Sequence, residues 1–166
     1  MDSKELNSRF LHAWGTLGGN WGINRTMAQI HALLLLSESP LTTEEIMAKL
    51  RISRGNANMN IRTLTEWGLL NKVHKAGDRK EFFEAEKDIW KVSRLIARER
   101  RKRELEPALK ILEELKTATA DDEATRKMQE QIGTIYDFTK MADSTLDKFI
   151  QSNNTWFLKL FANMMS

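Results

Sequence analysis

The chain has 166 residues, with 26 lysines and arginines against 23 aspartates and glutamates, a formal charge of +3 and a pI near 9.2. It contains no cysteine, which excludes disulfides, Cys-ligated zinc and thiol catalysis. Its longest apolar run, "HALLLL" at 31–36, is far short of the roughly 20 residues that span a bilayer, so a soluble cytoplasmic protein with no membrane partner is expected.

The length fits one domain, or a small domain with an extended helical arm. Charge is distributed unevenly. Between residues 49 and 80, eight basic side chains (Lys49, Arg51, Arg54, Arg62, Lys72, Lys75, Arg79, Lys80) face two acids (Glu66, Asp78). Charge of one sign gathered in this way points to a polyanionic partner.

The first periodic segment predicts a helix over roughly Glu5 to Leu17, ended by "GTLGGNWG", where Gly15, Gly18, Gly19 and Gly22 read as breakers. A second helix starts near Asn24 as N-cap, with Met27, Ile30, Leu33 and Leu34 on one side. Pro40 ends the loop that follows. In "LTTEEIMAKL", Thr42 and Glu45 have the spacing of a capping box and open a short helix. After "RIS", Ser53 caps another helix that runs to Gly68.

The pattern then changes period. "GLLNKVHKAGDRKEFFEAE" reads as a β-hairpin about a Gly-Asp turn, the one strand pair expected. Helix returns from about Asp88, with a kink or interruption expected at Pro107. A third long helix spans about Asp122 to Gln151. Its Met128, Ile132, Ile135, Thr139, Ala142, Leu146 and Phe149 form a coiled-coil-like seam. The chain closes on an apolar stretch, "TWFLKLFANMMS".

The fold class is therefore mainly α, α+β with one small hairpin: a winged helix-turn-helix domain plus long C-terminal dimerisation helices. Residues 1–22 read as an N-terminal dimerisation helix and Gly-rich loop, 23–87 as the DNA-binding domain and 88–166 as a helical dimerisation region.

The stretch "SRGNANMNIR" carries Asn56, Asn58 and Asn60, all indifferent helix formers, and no acid. At 100° per residue, Ala57, Ile61 and Leu64 lie within about 40° of a common inward direction, while Gly55, Asn58, Met59, Arg62 and Glu66 lie opposite. Asn suits adenine N6 and N7, and Arg suits guanine O6 and N7. Asn56 and Asn58 are thus expected to serve base or backbone recognition, and Asn60 to be a buried amide bonded to backbone. The candidate DNA contacts are Thr42, Thr43, Ser53, Arg54, Gly55, Asn56, Asn58, Met59 and Arg62, with the wing residues Lys72, Lys75, Arg79 and Lys80; His74 lies on the same incoming strand. "RERRKR", Arg98 to Arg103, reads either as a nucleic-acid patch or as the solvated face of a long helix.

Residues 22–107, with the core "ISRGNANMNIRTLTEWGLL", resemble the GbsR-type branch of the MarR superfamily of transcriptional regulators. The resemblance implies a homodimer that binds a palindromic operator in double-stranded DNA through paired winged helices, usually as a repressor and in many members under a small-molecule effector. It assigns Ser53 to Trp67 to the recognition helix and Asp78, Arg79 and Lys80 to the wing. The wing departs from the wider pattern of Asp, any residue, Arg, because Arg79 follows Asp78 directly, and the chain after about Leu115 matches no such pattern. Some relatives are linked to choline or glycine betaine metabolism. An aromatic cage for a quaternary ammonium would draw on Trp14, Trp21 and Trp90.

An enzyme is not expected, since His12, His31 and His74 have no metal-ligand spacing and no phosphate loop or nucleophile elbow occurs; neither cofactor nor metal is called for. The competing reading is a winged-helix protein-interaction module whose basic face is incidental.

Overall fold

Polar side chains open several of the helices, among them Asn24, Thr42, Ser53 and Asp122. Asn24 Oδ1 accepts from the backbone N–H groups of Thr26 (2.8 Å) and Met27 (3.4 Å), and Ser53 Oγ accepts from Asn56 N–H (3.3 Å). Asp122 Oδ1 accepts from Thr125 N–H (2.7 Å). Thr42 and Glu45 form a reciprocal capping box: Thr42 Oγ1 accepts from Glu45 N–H (3.3 Å) and Thr42 N–H donates to Glu45 Oε2 (2.7 Å). Each bond satisfies a donor that a helix N-terminus leaves free.

The computed structural model of the chain describes residues 2–20, 23–119 and 121–152. In order, the elements are α1 (Ser3–Asn20), α2 (Arg25–Leu36), β1 (Leu41–Thr42), α3 (Thr43–Leu50), α4 (Arg54–Glu66), β2 (Leu70–Val73), β3 (Phe82–Ala85) and α5 (Ile89–Arg100). A π-helical turn (Arg101–Leu105), α6 (Glu106–Lys116) and α7 (Glu123–Gln151) follow. They divide into two compact units, Met1–Val92 and Ser93–Ser166, so the division falls within α5.

In the first unit α2 is the central helix. It is buried on nearly every side, through Met27, Ala28, Ile30, His31, Ala32, Leu33 and Leu34, because α1, α3, α4 and β3 all pack on it. Ile46 from α3, Leu64 from α4, and Leu69 and Leu70 complete the core. The turn between α3 and α4 is tight because Arg51 adopts the left-handed conformation (φ 53°). At the other end of α4, Gly68 (φ 74°) lets Leu69 N–H reach Leu64 O (2.9 Å) and Gly68 N–H reach Thr65 O (3.0 Å), which stops the helix and launches β2. Lys87 Nζ donates to the carbonyls of Leu34, Leu35 and Ser37 (2.9, 2.6 and 2.8 Å), tying the chain after β3 to the C-terminal end of α2.

Two expectations need correction. The glycines of "GTLGGNWG" do not end the first helix at Leu17, since α1 continues through Gly15, Gly18 and Gly19 to Asn20. A Cβ at Gly18 would lie 2.5 Å from Ala28 Cβ, and one at Gly15 would lie 3.0 Å from Gln29 Cγ. These glycines permit the close approach of α1 to α2. The hairpin is also not the only strand pairing. Leu41 and Thr42 add a third antiparallel strand, giving the order β1-β3-β2 with Leu41 opposite Phe83 and Leu70 opposite Ala85.

In the second unit α6 packs along α7. Gly133 of α7 lies against the Lys116 side chain, and Tyr136 donates to Glu113 Oε1 (3.2 Å). The interruption expected at Pro107 takes the form of a π-helical segment, Arg101–Leu105, between α5 and α6. That turn carries a Glu106 N–H bond to Arg101 O, so the chain re-enters α-helix with Pro107 in the first turn of α6, where its missing N–H costs nothing. Within "RERRKR", Arg101 is half-buried and paired: its guanidinium holds both carboxylate oxygens of Asp143 (2.7 and 3.1 Å) and Asp147 Oδ1 (3.1 Å) on α7. The seam of α7 splits between two faces. Ile132, Thr139, Leu146 and Phe149 are half-buried, whereas Met128 and Ile135 are exposed together with Phe138 and Met141. The "TWFLKLFANMMS" stretch lies outside the described residues. None of the described helices is long and apolar enough to cross a membrane.

Candidate nucleic-acid interface

Helix α4 presents one face to the core and one to solvent. Ala57, Asn60, Ile61 and Leu64 are buried; Ser53, Arg54, Gly55, Asn58, Met59, Arg62 and Glu66 are exposed. Among the described residues nothing outside its own stretch of helix lies within 4 Å of where a Cβ on Gly55 would stand, so the backbone at the start of α4 is open to close approach by a partner. With no acid in its first turn, that end also keeps the positive pole of the helix unopposed by its own sequence.

The three asparagines separate by role. Asn60 is 3 % exposed; its Nδ2 donates to Asn56 O (2.8 Å) and Asn56 Oδ1 (2.7 Å), and its Oδ1 accepts from Asn24 Nδ2 (3.0 Å). Asn56 in turn donates to Thr26 Oγ1 (3.5 Å). The amides of Asn24, Asn60 and Asn56, with the Thr26 hydroxyl, thus form a polar seam that keys α4 onto the first turn of α2. Asn56, expected to meet DNA, is half-buried and turned into this seam. Asn58 is the one asparagine of α4 that faces solvent.

Thr42 is likewise held elsewhere. It is 6 % exposed, and its hydroxyl both accepts from Glu45 N–H and donates to Glu45 Oε2 (2.9 Å), so no part of the side chain is available to a nucleic acid. Thr43 is half-buried in the first turn of α3. The Glu45 carboxyl sits below its usual range because of the Thr42 backbone N–H and then the Thr42 hydroxyl.

The wing is the loop between β2 and β3. Asp78 N–H donates to Lys75 O (3.1 Å) across a turn in which Gly77 takes φ 82°, and Asp78 Oδ1 accepts from Lys80 N–H (3.0 Å). Residues 74–81 are exposed throughout, which leaves Arg79 and Lys80 at a solvated tip. On the strands, Lys72 pairs with Glu81 (2.8 Å) and Lys75 lies over the Phe82 ring, 4.0 Å from its centroid.

Acids accompany the basic side chains here. Arg54 pairs with Glu44 of α3 and Arg62 with Glu66, both at 3.0 Å. Glu44 lies below the ordinary carboxylate range, through its own backbone N–H first and then the Arg54 guanidinium, with the Lys80 charge also acting on it. The first turns of α3 and α4 therefore meet at the Glu44–Arg54 pair, on which the charge of Lys80 in the wing also acts, a juxtaposition that no sequence spacing displayed.

Two of the three tryptophans expected to form an aromatic cage fall within the described residues. Trp14 stacks on Phe10 (ring centroids 5.4 Å apart) and tilts against His31 (6.0 Å), within the contact of α1 with α2. Trp90 stands at the start of α5, and Trp21 lies outside the described residues.

A helix, a three-residue turn, a second helix with an exposed polar face, and a basic-tipped hairpin backed by a three-stranded sheet define a winged helix-turn-helix domain. Residues 21–81 match the profile of the MarR family. The chain is similar in fold to a solved structure described as a transcriptional regulator, with 18 % identity and a TM-score of 0.65 over 87 % of this chain and 95 % of that one. No curated protein matches the chain.

Proposed function

We propose that the chain is a sequence-specific DNA-binding transcriptional regulator that acts as a homodimer on a palindromic operator, with repression as its mode. The observation that carries this reading is the outward face of α4, where Gly55, Asn58, Met59 and Arg62 stand free of the core beside an exposed Arg79–Lys80 wing tip. Arg62 extends 83 % of its side-chain surface into solvent and pairs with Glu66 one turn on, so a guanine edge can replace that carboxylate. The MarR-family match over residues 21–81 and the fold of a structure described as a transcriptional regulator support the same reading. The GbsR-type assignment within that family, and a small-molecule effector, rest on the sequence resemblance alone.

In this reading Arg62 and Asn58 address bases, Ser53, Arg54 and the Gly55 backbone address phosphate, and Arg79 and Lys80 address the flanking backbone or minor groove. Thr42 and Asn56 position the elements and do not touch DNA. The exposed Met128, Ile135, Phe138 and Met141 on α7 supply the apolar surface for a two-fold partner, which a palindrome with half-sites roughly 34–36 Å apart requires.

Two variants test the assignment on a duplex selected by the protein from a random pool. Arg62→Ala should cost about 1–3 kcal/mol and relax preference at one base pair, while Arg79→Ala should weaken all duplexes alike and flatten the salt slope by about one. Neither pattern would appear in a winged-helix module that binds proteins alone.

A further inference from the structure

On a surface proposed to meet a polyanion, a carboxylate needs a reason. Glu44 stands in the first turn of α3, and 58 % of its side chain is open to solvent. Its Oε1 accepts from Arg54 Nη1 at 3.0 Å, which places it beside the first residue of α4, and the charge of Lys80 on the wing acts on it as well. It therefore lies where the two helices meet, under the charge of the wing. Its neighbour Glu45 has an evident structural duty, because both its backbone and its side chain close the capping box with Thr42. Glu44 shares that first turn, where an acid suits the positive end of the helix and its own backbone N–H holds the carboxylate, but it closes no capping box. An exposed ion pair adds little to folding, so the bond to Arg54 does not by itself account for an acid at this place.

We propose that Glu44 is a specificity-determining residue, an acid that makes the surface reject duplexes offering it only phosphate and accept those offering a hydrogen-bond donor. The proposal rests on the DNA-binding reading above. When the surface approaches DNA, Arg54 exchanges the Glu44 carboxylate for a phosphate oxygen, and the carboxylate is left facing the duplex. Next to phosphate alone it is repelled. Next to a cytosine, whose N4 amino group donates in the major groove, it accepts a hydrogen bond and the repulsion is offset. Discrimination then comes from a penalty on wrong sequences as much as from attraction to the right one.

The experiment compares full-length wild type, Glu44→Gln, Glu44→Ala and Glu38→Gln on two duplexes: the one wild type selects from a random pool, and a scrambled duplex of the same composition. Glu38 lies in the connection after α2 and carries the same change of net charge. Binding is measured at several salt concentrations. Removing one charge close to phosphates should tighten the scrambled complex of Glu44→Gln roughly five- to tenfold at low salt. Because the glutamine carbonyl still accepts from N4, binding to the selected duplex should stay within about threefold, and the ratio between the two should fall. Glu44→Ala should show the same gain on scrambled DNA and lose affinity for the selected duplex. Equal changes on both duplexes, no change on the scrambled one, or the same gain from Glu38→Gln would each overturn the role of Glu44 while leaving the regulator reading intact. Wild type that binds both duplexes alike would refute sequence-specific recognition, and wild type that binds neither would refute the DNA-binding reading itself.

Discussion

The three asparagines of α4 offer a direct check on the division between structural and DNA-facing side chains. Asn60 makes three hydrogen bonds, two donated to Asn56 and one accepted from Asn24, at 2.7–3.0 Å and almost out of contact with water. At about 0.5–1.5 kcal/mol net for each bond, Asn60→Ala should cost about 3 kcal/mol. The better helix propensity of alanine offsets about 0.6 kcal/mol of that, leaving a loss of about 2 kcal/mol. Asn56→Ala gives up the long contact to Thr26 and one of the two acceptors of Asn60, and should lose less than about 1 kcal/mol. Asn58 faces solvent, so Asn58→Ala should be neutral or stabilise by about half a kcal/mol. Urea unfolding followed by far-ultraviolet circular dichroism measures all three, provided the m-values agree. If Asn58→Ala were as costly as Asn60→Ala, or Asn60→Ala cost under about half a kcal/mol, the polar seam would not hold α4 to α2 and the assignment of Asn58 to DNA would lose its basis.

Acid should weaken the fold through His31. Burial first, and the nearby Lys87 charge second, lower its pKa from 6.5 to about 4, and its Nε2 has no hydrogen-bond partner among the described residues. The folded state resists the proton, so this contribution is complete above pH 6.5 and is lost as pH falls toward 4, by about 3 kcal/mol in all. His31→Leu should therefore remove part of the difference between urea midpoints at pH 7 and pH 4.5, and parallel profiles for the two proteins would refute it. In α1, Gly18→Ala should destabilise by about 1–3 kcal/mol because its Cβ would meet Ala28 at 2.5 Å. Gly19→Ala, with nothing within 4 Å, should instead stabilise by up to about 1 kcal/mol. Thermal unfolding of the pair checks the order, and equal effects would contradict the close packing of α1 on α2.

What could be read in advance was local. The caps at Asn24, Thr42 and Ser53 each bond within three residues of themselves, so residue type and spacing suffice to find them. The inward set Ala57, Ile61 and Leu64 follows from helical angle alone. What escaped depends on partners far along the chain. Asn56 turns inward because of Thr26, thirty positions away, and Gly18 is small because of Ala28 on the next helix. β1 has only two residues, too few for any alternation, and exists because Phe82 and Phe83 offer it an edge. At Pro107 an interruption was legible because its missing N–H is costly inside a helix, but its form, a π-helical turn that places the proline in a first turn, was not. The exposure of Gly55, Asn58, Met59 and Arg62 was legible from the helical wheel, and the burial of Thr42 and Asn56 was not, since a wheel gives direction without neighbours.

The central claim is that α3, α4 and the wing together read DNA sequence. Its most direct test is titration of the wild-type protein with its selected duplex and a scrambled one from low to physiological salt. The account predicts that the scrambled complex dissociates as salt rises while the selected complex persists, with two protein chains bound per duplex. Loss of both complexes at the same salt concentration would contradict it, leaving the basic segment a general electrostatic surface.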